Sequence, residues 1–310
     1  MKKKVFLDGS AGTTGLRIAD RLKKRCDIEL IFLSDDLRKD LSARKDAINS
    51  SDFVFLCLPD DAAREAVTLV ENENTVIIDT STAHRTSEAF TYGFPELKGQ
   101  REKIAASKRI ANPGCHASGF IALVAPLTEC GIIKKDTLLS CFSITGYSGG
   151  GKKMIAEYDV TEDELFKAPR QYGISQNHKH LPEMAKFTGL ENPPVFSPIV
   201  APFYSGMEVT IPLFPKSLGV RKSDLETVYS DFYKSGLIYF NKTPDENGFL
   251  SASKLSGRDD MEISVLGNDE RLILTARFDN LGKGASGSAI QNLNIVMGID
   301  EATGLNLKRR

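Results

Sequence analysis

Cys115 is well placed for nucleophilic chemistry, because it follows a Pro113-Gly114 turn and begins an apolar helical segment. At a helix N-terminus the dipole and the unpaired backbone N–H groups stabilise a thiolate, lower the thiol pKa and can bind an oxyanion. The pattern therefore predicts covalent catalysis by Cys115, with a packing role as the alternative. Packing is what we expect of three other cysteines, which lie within strands or apolar stretches: Cys57, Cys130 and Cys141.

Two of the four histidines stand close together, at His178 and His180. Side chains two apart in an extended segment face the same side, so the pair could supply a proton-transfer group and a substrate-binding group beside a thiol. A metal site with Glu183 as third ligand, or two solvated loop histidines, are the alternatives. The spacing is not a helical HExxH, and we expect no metal. His116 is interpreted as structural, because its side chain should point away from Cys115.

A glycine-rich turn, DGSAGTTG over residues 8–15, joins the first strand pattern to the first helix pattern. Glycines there allow a tight turn and let a pyrophosphate approach the helix N-terminus, where free N–H groups favour anions. The spacing is GxxGxxG rather than GxGxxG, so a turn that only packs on the helix is the alternative. The position of the turn predicts a dinucleotide site.

The end of the second strand should select the cofactor. Asp35, 20 residues after Gly15, could bind a ribose 2′-hydroxyl and so favour NAD. Ser34 precedes it, and Arg38 and Lys39 follow, a set that would suit the 2′-phosphate of NADP. The residues leave both cofactors open and favour NADP.

A second glycine-rich segment, Gly146–Lys153, nearly fits the phosphate-binding loop GxxxxGK[ST]. Lys153 stands where a hydroxyl would bind magnesium, so we do not expect an NTPase. The glycines could let the backbone approach a cofactor, and a flexible loop between domains is the alternative.

Strand and helix patterns alternate in the first third of the chain, with apolar strands at 5–8, 28–33, 53–58 and 76–79. Such alternation is typical of a doubly wound parallel sheet. After Cys115 longer strand patterns follow, and residues 286–299 predict a helix. We expect an α/β chain with a Rossmann-type domain over 1–114, completed by a C-terminal helix over 285–310. Residues 115–284 should form an α+β catalytic and dimerisation domain with a mixed or antiparallel sheet.

Composition excludes several classes of protein. Lys and Arg number 40 against 41 Asp and Glu, so the basic excess of a nucleic-acid-binding protein is missing. Apolar runs such as 53–58 hold six residues, whereas a membrane span needs about 20. Five cysteines without CxxC spacing suggest a reducing, cytoplasmic setting.

Several segments together resemble the shorter form of the N-acetyl-gamma-glutamyl-phosphate reductases, which are related to aspartate-semialdehyde dehydrogenases. They cover most of the chain: VFLDGSAGTTGLRI, FLCLPDDAA, DTSTAHR, NPGCHASGFIALVAPL, GYSGGGK, HKHLPE and GKGASGSAIQN. The resemblance implies NADPH-dependent reduction of N-acetyl-L-glutamyl 5-phosphate through a cysteine thioester, in arginine biosynthesis. It also implies a small-molecule substrate and a homo-dimer or homo-tetramer.

The resemblance assigns roles residue by residue. Cys115 matches the nucleophile, and His178 the acid/base, although the choice between His178 and His180 stays open. The implied substrate-binding residues are Arg85, Asn112, Tyr172 and His180. The implied cofactor-binding residues are Gly9, Gly12, Thr13, Thr14 and Gly15 at the pyrophosphate, Ser148, Gly149, Gly150 and Asn292 near the nicotinamide, with Ser34 and Arg38 added from the strand end. Ser288 departs from the Gln that is common in the longer forms.

Two other functions stay open. A related reductase could act on aspartyl or aminoadipyl phosphate, although HKHLPE favours the acetylglutamyl substrate. A catalytically inactive NADP-binding protein is the non-enzymatic alternative, which the joint presence of Cys115, His178 and Arg85 disfavours.

Overall fold

The computed structural model describes residues 2–234 and 236–307. The chain forms two compact units, one of Met1–Pro113 with Ala285–Leu305, the other of Gly114–Gly284 with the described residues after Leu305. No helix in this described part combines the length and the apolar character that crossing a membrane requires.

The first unit is built on a six-stranded parallel sheet in the order β2-β1-β3-β4-β6-β5. Runs of Val, Ile and Phe form its central strands, because both faces of a parallel sheet are covered by helices. The strands are β1 (Lys3–Asp8), β2 (Ile28–Ile31), β3 (Phe53–Leu56), β4 (Val76–Asp79), β5 (Thr91–Tyr92) and β6 (Arg109–Ala111). The helices between them are α1 (Thr13–Leu22), α2 (Leu41–Asn49), α3 (Asp60–Thr68) and α4 (Gln100–Ala106). The predicted doubly wound fold is confirmed.

The carboxyl ends of four strands of this sheet lie in one row. The register pairs Asp8 of β1 with Leu56 of β3, Leu56 with Asp79 of β4, and Asp79 with Ala111 of β6. In the sheet, β1 lies between β2 and β3, so the strand order reverses at β1. The carboxyl end of β1 is therefore the topological switch point, where ligands of doubly wound sheets bind.

The second unit is built on a seven-stranded mixed sheet in the order β11-β12-β13-β10-β7-β9-β8. Its helices are α5 (Cys115–Glu129), α6 (Gly151–Val160), α7 (Leu181–Thr188), α8 (Pro215–Leu218) and α9 (Lys222–Phe232). Its strands are β7 (Ser140–Gly146), β8 (Arg170–Gln171), β9 (Val195–Ala201), β10 (Met207–Leu213), β11 (Ile238–Phe240), β12 (Met261–Gly267) and β13 (Leu272–Phe278). The chain then returns to the first unit through α10 (Gly287–Met297). The prediction of a mixed sheet is confirmed.

Helix α5 lies directly on one face of this sheet. Gly119 makes the close approach possible, because a Cβ there would stand 2.5 Å from the Val209 side chain and 2.9 Å from that of Phe278. Pro126 inside the helix has no N–H, so it cannot bond the carbonyl of Ala122. The hydroxyl of Tyr233 donates to that carbonyl instead, at 2.7 Å.

The predicted elements differ from the structure mainly in their bounds. Helix α10 ends at Met297, where Gly298 takes the left-handed conformation, so it is much shorter than the predicted 285–310. A π-helical turn, Gly282–Ser286, precedes it. The predicted helix also extended to residues 308–310, which lie outside the described residues.

Candidate active site

Cys115 is the first residue of α5, and Gly114 before it is the N-cap residue without a side-chain cap. The thiol is half-buried. Gly284 packs against it so closely that a Cβ at 284 would stand 2.9 Å from the Cβ of Cys115. Gly114 has no side chain with which to cap the first turn of α5, the turn in which a nucleophile was predicted.

Glu183 connects the cysteine turn to the HKHLPE segment. It lies in the first turn of α7, is almost fully buried, and its Oε1 accepts the backbone N–H of Gly114 at 2.6 Å. A buried carboxylate that accepts an N–H fixes the position of that backbone. This contact uses Glu183 to hold the residue before Cys115, which the sequence analysis did not predict.

Five rings cluster on the α5 side of the sheet. His116 is at the centre, with its ring centroid 5.7 Å from His178, 5.5 Å from His180, 6.1 Å from Tyr172 and 5.3 Å from Phe196. The rings of His178 and His180 are 4.8 Å apart. The structure thus brings together Tyr172, His178 and His180, as predicted for one site, and adds His116, which was interpreted as merely structural.

His116 is hydrogen-bonded at both ring nitrogens. Its Nδ1 is 2.7 Å from Oγ of Ser143, and its Nε2 is 2.6 Å from the hydroxyl of Tyr172. Burial, together with the nearby charge of His178, lowers the pKa of His116 to about 3. Burial also raises the pKa of Tyr172, and the charge of Cys115 raises it further. At neutral pH this pair is therefore uncharged, and it orients the Tyr172 hydroxyl near the thiol.

The loop before α7 fixes His178. The backbone N–H of His180 donates to Nδ1 of His178 at 3.2 Å, so the neutral ring carries its proton on Nε2. The side chain of Gln176 bonds both backbone groups of Phe196 in β9: Nε2 donates to the carbonyl at 2.7 Å and Oε1 accepts the N–H at 2.9 Å. Gln176 has a φ of 55°, a conformation costly for a non-glycine residue.

The histidine segment was also considered as a metal site. Among residues 2–234 and 236–307, no group of three or more His, Cys, Asp or Glu side chains is arranged to bind a metal ion. Glu183, the third ligand of that alternative, bonds Gly114 instead.

The glycine turn of the first unit connects β1 to α1. Gly9 has a φ of 84°, and a Cβ on it would stand 2.4 Å from the Cys57 carbonyl oxygen. Gly12, the N-cap residue of α1, provides no side-chain cap, and no acidic residue stands in the first turn. Thr13 Oγ1 is buried, and the described residues provide no hydrogen-bond partner for it. An uncapped helix N-terminus beside an unsatisfied hydroxyl fits a pyrophosphate. Thr14 and Gly15 complete the same turn.

The residues predicted to select the cofactor lie at the end of β2. Ser34 and Arg38 are exposed, and the backbone N–H of Arg38 donates to the Ser34 carbonyl at 2.9 Å. Arg38 also lies 3.3 Å from the carboxylate of Asp35, which is almost fully exposed. A second cofactor segment was predicted in the other unit. There Ser148 is buried and accepts a hydrogen bond from Asn280 at 3.0 Å, while Gly149 and Gly150 are exposed.

Three other predicted residues meet in the first unit. Arg85 is buried, and its guanidinium donates to the carbonyls of Asn112 at 2.9 Å and Thr80 at 3.1 Å. Asn292 donates to the Gly93 carbonyl at 2.9 Å and lies 3.3 Å from Oδ1 of Asn112. The side chains of Asn112 and Asn292 are fully buried and use these contacts within the unit.

The segment DTSTAHR holds a further polar pair that the prediction missed. Asp79, fully buried at the end of β4, accepts from Nδ1 of His84 at 2.7 Å and from the Ser81 hydroxyl at 2.7 Å. The His84 ring stacks on Phe90 at 4.2 Å. The sequence contained a signal for this pair, because an Asp ends the strand and a His follows five residues later, directly before Arg85.

Comparison with known proteins gives a consistent family. A family model described as the semialdehyde dehydrogenase dimerisation domain matches residues 115–280, and one described as the NAD binding domain matches 34–107. N-acetyl-gamma-glutamyl-phosphate reductase 2 of Nostoc sp. is 43% identical over 98% of this chain and 99% of its own. The N-acetyl-gamma-glutamyl-phosphate reductase of Brucella anthropi is 44% identical over 96% of this chain and 99% of its own.

Solved structures share the fold at low identity. Aspartate semialdehyde dehydrogenase II from Vibrio cholerae, complexed with ASA, superposes with a TM-score of 0.73 at 14% identity over 96% of this chain and 99% of that one. The aspartate semialdehyde dehydrogenase of Candida albicans, solved with NADP, has a TM-score of 0.67 at 15% identity over 96% of this chain and 99% of that one. The first unit is thus an NAD(P)-binding domain, and the chain belongs to the N-acetyl-gamma-glutamyl-phosphate reductase family of oxidoreductases.

Proposed function

We propose that this chain reduces N-acetyl-L-glutamyl 5-phosphate to N-acetyl-L-glutamate 5-semialdehyde and phosphate, with NADPH, in arginine biosynthesis. The observation that carries the proposal is the half-buried Cys115 at the start of α5, next to a cluster that holds Tyr172, His178 and His180. The named relatives, identical at more than four residues in ten, support the same substrate.

Cys115 is the nucleophile of this proposal. Its thiolate Sγ forms a bond to the C5 carbonyl carbon, and the C–O bond to phosphate breaks, which leaves an acyl thioester on the enzyme. Bound NADPH would supply the hydride that reduces the thioester carbon. The resulting thiohemiacetal collapses with cleavage of its C–S bond, which releases the semialdehyde and returns the thiolate.

The surrounding groups handle charge and protons. First-turn N–H groups of α5 stabilise the oxyanion that forms in each addition, since the N–H groups at a helix N-terminus point out along the helix axis and favour negative charge. His178, with its proton on Nε2, donates to that oxygen and recovers the proton on collapse. His180 is the alternative acid/base, and the Tyr172 hydroxyl, bonded to neutral His116, positions the acyl chain.

NADP is the cofactor we propose. Its pyrophosphate would bind at Gly9, Gly12, Thr13, Thr14 and Gly15, where the unsatisfied Thr13 hydroxyl supports the assignment. Its 2′-phosphate would bind Ser34 and Arg38, which requires Arg38 to exchange the exposed Asp35 for the phosphate. Ser148, Gly149, Gly150 and Asn292 would lie near the nicotinamide.

Arg85 is proposed to bind the substrate phosphate, with Asn112 fixing its orientation through the carbonyl bond. Both residues lie in the domain assigned to 1–114 and completed by the C-terminal helix, whereas Cys115 begins the catalytic domain of 115–284. The two compact units, which divide the chain after Pro113 and after Gly284, support this assignment.

A homo-dimer or homo-tetramer is the proposed assembly, formed through the sheet face opposite α5. Apolar side chains on that face are partly exposed, including Phe142 at 47%, Ile273 at 38% and Val195 at 62%. An exposed apolar patch of this kind marks an interaction surface. None of the five cysteines, all of which the structure describes, is in a disulfide, which supports work in the reducing cytoplasm.

The test follows NADPH absorbance while the protein oxidises N-acetyl-glutamate semialdehyde with NADP, with and without phosphate. We expect phosphate-dependent NADPH formation, and loss of turnover with intact NADPH binding in Cys115→Ser. Aspartate semialdehyde and aminoadipate semialdehyde serve as comparison substrates. Turnover that persists in Cys115→Ser would overturn the mechanism, and faster turnover of a comparison substrate would overturn the substrate assignment.

A further inference from the structure

Arg170 in β8 has an unusual environment for a partly buried arginine. Its guanidinium carbon lies 3.7 Å from the ring centroid of Phe166 and 5.1 Å from that of Tyr158. Its Nη2 donates to the Tyr158 hydroxyl at 3.0 Å, which orients the plane of the group. Tyr147 stacks on Tyr158 at 4.5 Å and completes this aromatic cluster.

The charge of Arg170 has no carboxylate partner among the described residues, and its buried Nε has no hydrogen-bond partner there. Five other arginines that are wholly or partly withdrawn from water pair with acids: Arg25 with Asp27, Arg44 with Asp8, Arg101 with Glu301, Arg258 with Asp260, and Arg277 with Glu262. Arg85 and Arg109 donate to backbone carbonyls. An oriented, partly desolvated guanidinium without an acid is prepared for an anion from outside the chain.

The position of Arg170 relates it to the ring cluster. β8 pairs antiparallel with β9, Arg170 opposite Val200, and the ladder continues as the Tyr172 N–H donates to the Pro198 carbonyl at 3.0 Å. Side chains two apart in a strand point to the same face, about 6.6 Å apart along it. Arg170 therefore stands one strand repeat from Tyr172, whose hydroxyl bonds His116 and whose pKa responds to Cys115.

We propose that Arg170 binds the α-carboxylate of the acyl substrate and selects for a substrate that carries one. The inference rests on the proposed function, because it takes Cys115 as the residue that holds the other end of the substrate. Four carbon–carbon bonds separate the reacting carbonyl of an acylated glutamate from its α-carboxylate, a span comparable to one strand repeat. The planar fork presents its Nη groups to the two carboxylate oxygens, while the Phe166 and Tyr158 rings restrict water.

The experiment compares two aldehydes in the phosphate-dependent oxidation, N-acetyl-glutamate semialdehyde and the same compound with its α-carboxylate converted to a carboxamide. Wild type should prefer the carboxylate in kcat/KM by roughly 10- to 100-fold, the range of one charge-assisted pair. In Arg170→Gln that preference should fall to about 1, mainly through KM of the carboxylate substrate. Arg170→Lys keeps the charge without the fork and should retain part of the preference.

Lys167→Ala is the matched control, because Lys167 is an exposed cation three residues away that pairs with Glu164. It should keep the wild-type preference. KM for NADP should stay unchanged in every variant, and a rise confined to KM for NADP would mean that Arg170 binds the cofactor and would overturn the proposal. An undiminished preference in Arg170→Gln would also overturn it.

Structural damage and failure of the proposed function give different results. A variant that only loosens the aromatic cluster would lower kcat/KM for both aldehydes by the same factor and leave the preference at its wild-type value, which contradicts the proposal. If wild type shows no phosphate-dependent turnover of either aldehyde, the proposed function fails. In that case, binding of the non-reacting acid N-acetyl-glutamate, measured by calorimetry in wild type and Arg170→Gln, still tests the carboxylate site. Equal affinities would reject it.

Discussion

The hydroxyl of Tyr172 lies 2.6 Å from Nε2 of His116, and burial holds His116 neutral with its pKa lowered to about 3. In the unfolded chain a histidine titrates near 6.5. Between about pH 6.5 and 3 the unfolded state therefore binds a proton that the folded state does not, so folding stability is lost as the pH falls through this window.

Replacement of His116 by Gln should reduce this pH dependence. We expect the free energy of unfolding of wild type to fall by up to about 1.4 kcal/mol per pH unit from this one group as the pH drops from 6.5 toward 3. Urea unfolding at several pH values, at one protein concentration, measures the slope. His84→Gln, which replaces a histidine bonded to Asp79 outside the ring cluster, is the comparison. An equal slope in wild type and His116→Gln would show that His116 is not held neutral.

The two hydrogen bonds from the Gln176 side chain to the Phe196 backbone, here called the Gln176 clamp, give a prediction on catalysis. Glycine at 176 accepts the φ of 55° but loses both hydrogen bonds to Phe196, so the His178 loop should lose its position. We expect kcat to fall roughly 10-fold, because small displacements of a proton-transfer group are costly. KM for NADPH should not change. Asn247→Gly, at another exposed residue with positive φ, is the matched control. Wild-type kcat in Gln176→Gly would refute the clamp.

The bond between Tyr233 and Ala122 can be tested as a double-mutant cycle. Tyr233→Phe leaves the Ala122 carbonyl buried without its donor and should cost about 1–2 kcal/mol of unfolding free energy. In a Pro126→Ala background the new N–H can bond that carbonyl, so the same substitution should cost clearly less. Tyr229→Phe, whose hydroxyl donates to Leu123, should cost the same in both backgrounds. Equal costs of Tyr233→Phe in both would contradict the explanation.

The sheet face opposite α5 makes a prediction on assembly. Phe142 and Ile273 are partly exposed apolar residues on the two strands that flank β10. Phe142 of β7 pairs with Thr210, and Ile273 of β13 pairs with Pro212, two residues further along β10. The double substitution Phe142→Asp and Ile273→Asp should convert the oligomer to a monomer, because desolvated charges oppose association. Light scattering measures the molar mass in solution. Phe249→Asp, at an exposed aromatic residue outside the strands, is the comparison. An unchanged mass would assign the interface elsewhere.

The fold was predictable where one pattern dominated. Short runs of Val, Ile, Leu and Phe indicated β1, β3 and β4, and residues 5–8, 53–56 and 76–79 of these strands are buried. β5 and β6 were not predicted, because two or three residues show no periodicity and their pairing with β4 depends on contacts distant in sequence. The helix pattern over 286–299 agrees with α10, whereas the extension of this helix to residue 310 was too long because the left-handed Gly298 ends it.

The candidate site was predictable as separate motifs but not as a network. Cys115, His178 and His180 followed from turn position and spacing. His116 was interpreted as structural because the local helix geometry alone directs it away from Cys115. Its partners, Ser143 and Tyr172, come from β7 and the end of β8, and only the tertiary structure joins those elements.

The bond from Gly114 to Glu183 has a mechanical consequence. It joins residues 69 positions apart, and both belong to the second unit. A displacement of α7 therefore pulls on the N-cap of α5, so the histidine segment and the thiol move as one body. The distance from the nucleophile to the histidine segment is then set by contacts within the second unit.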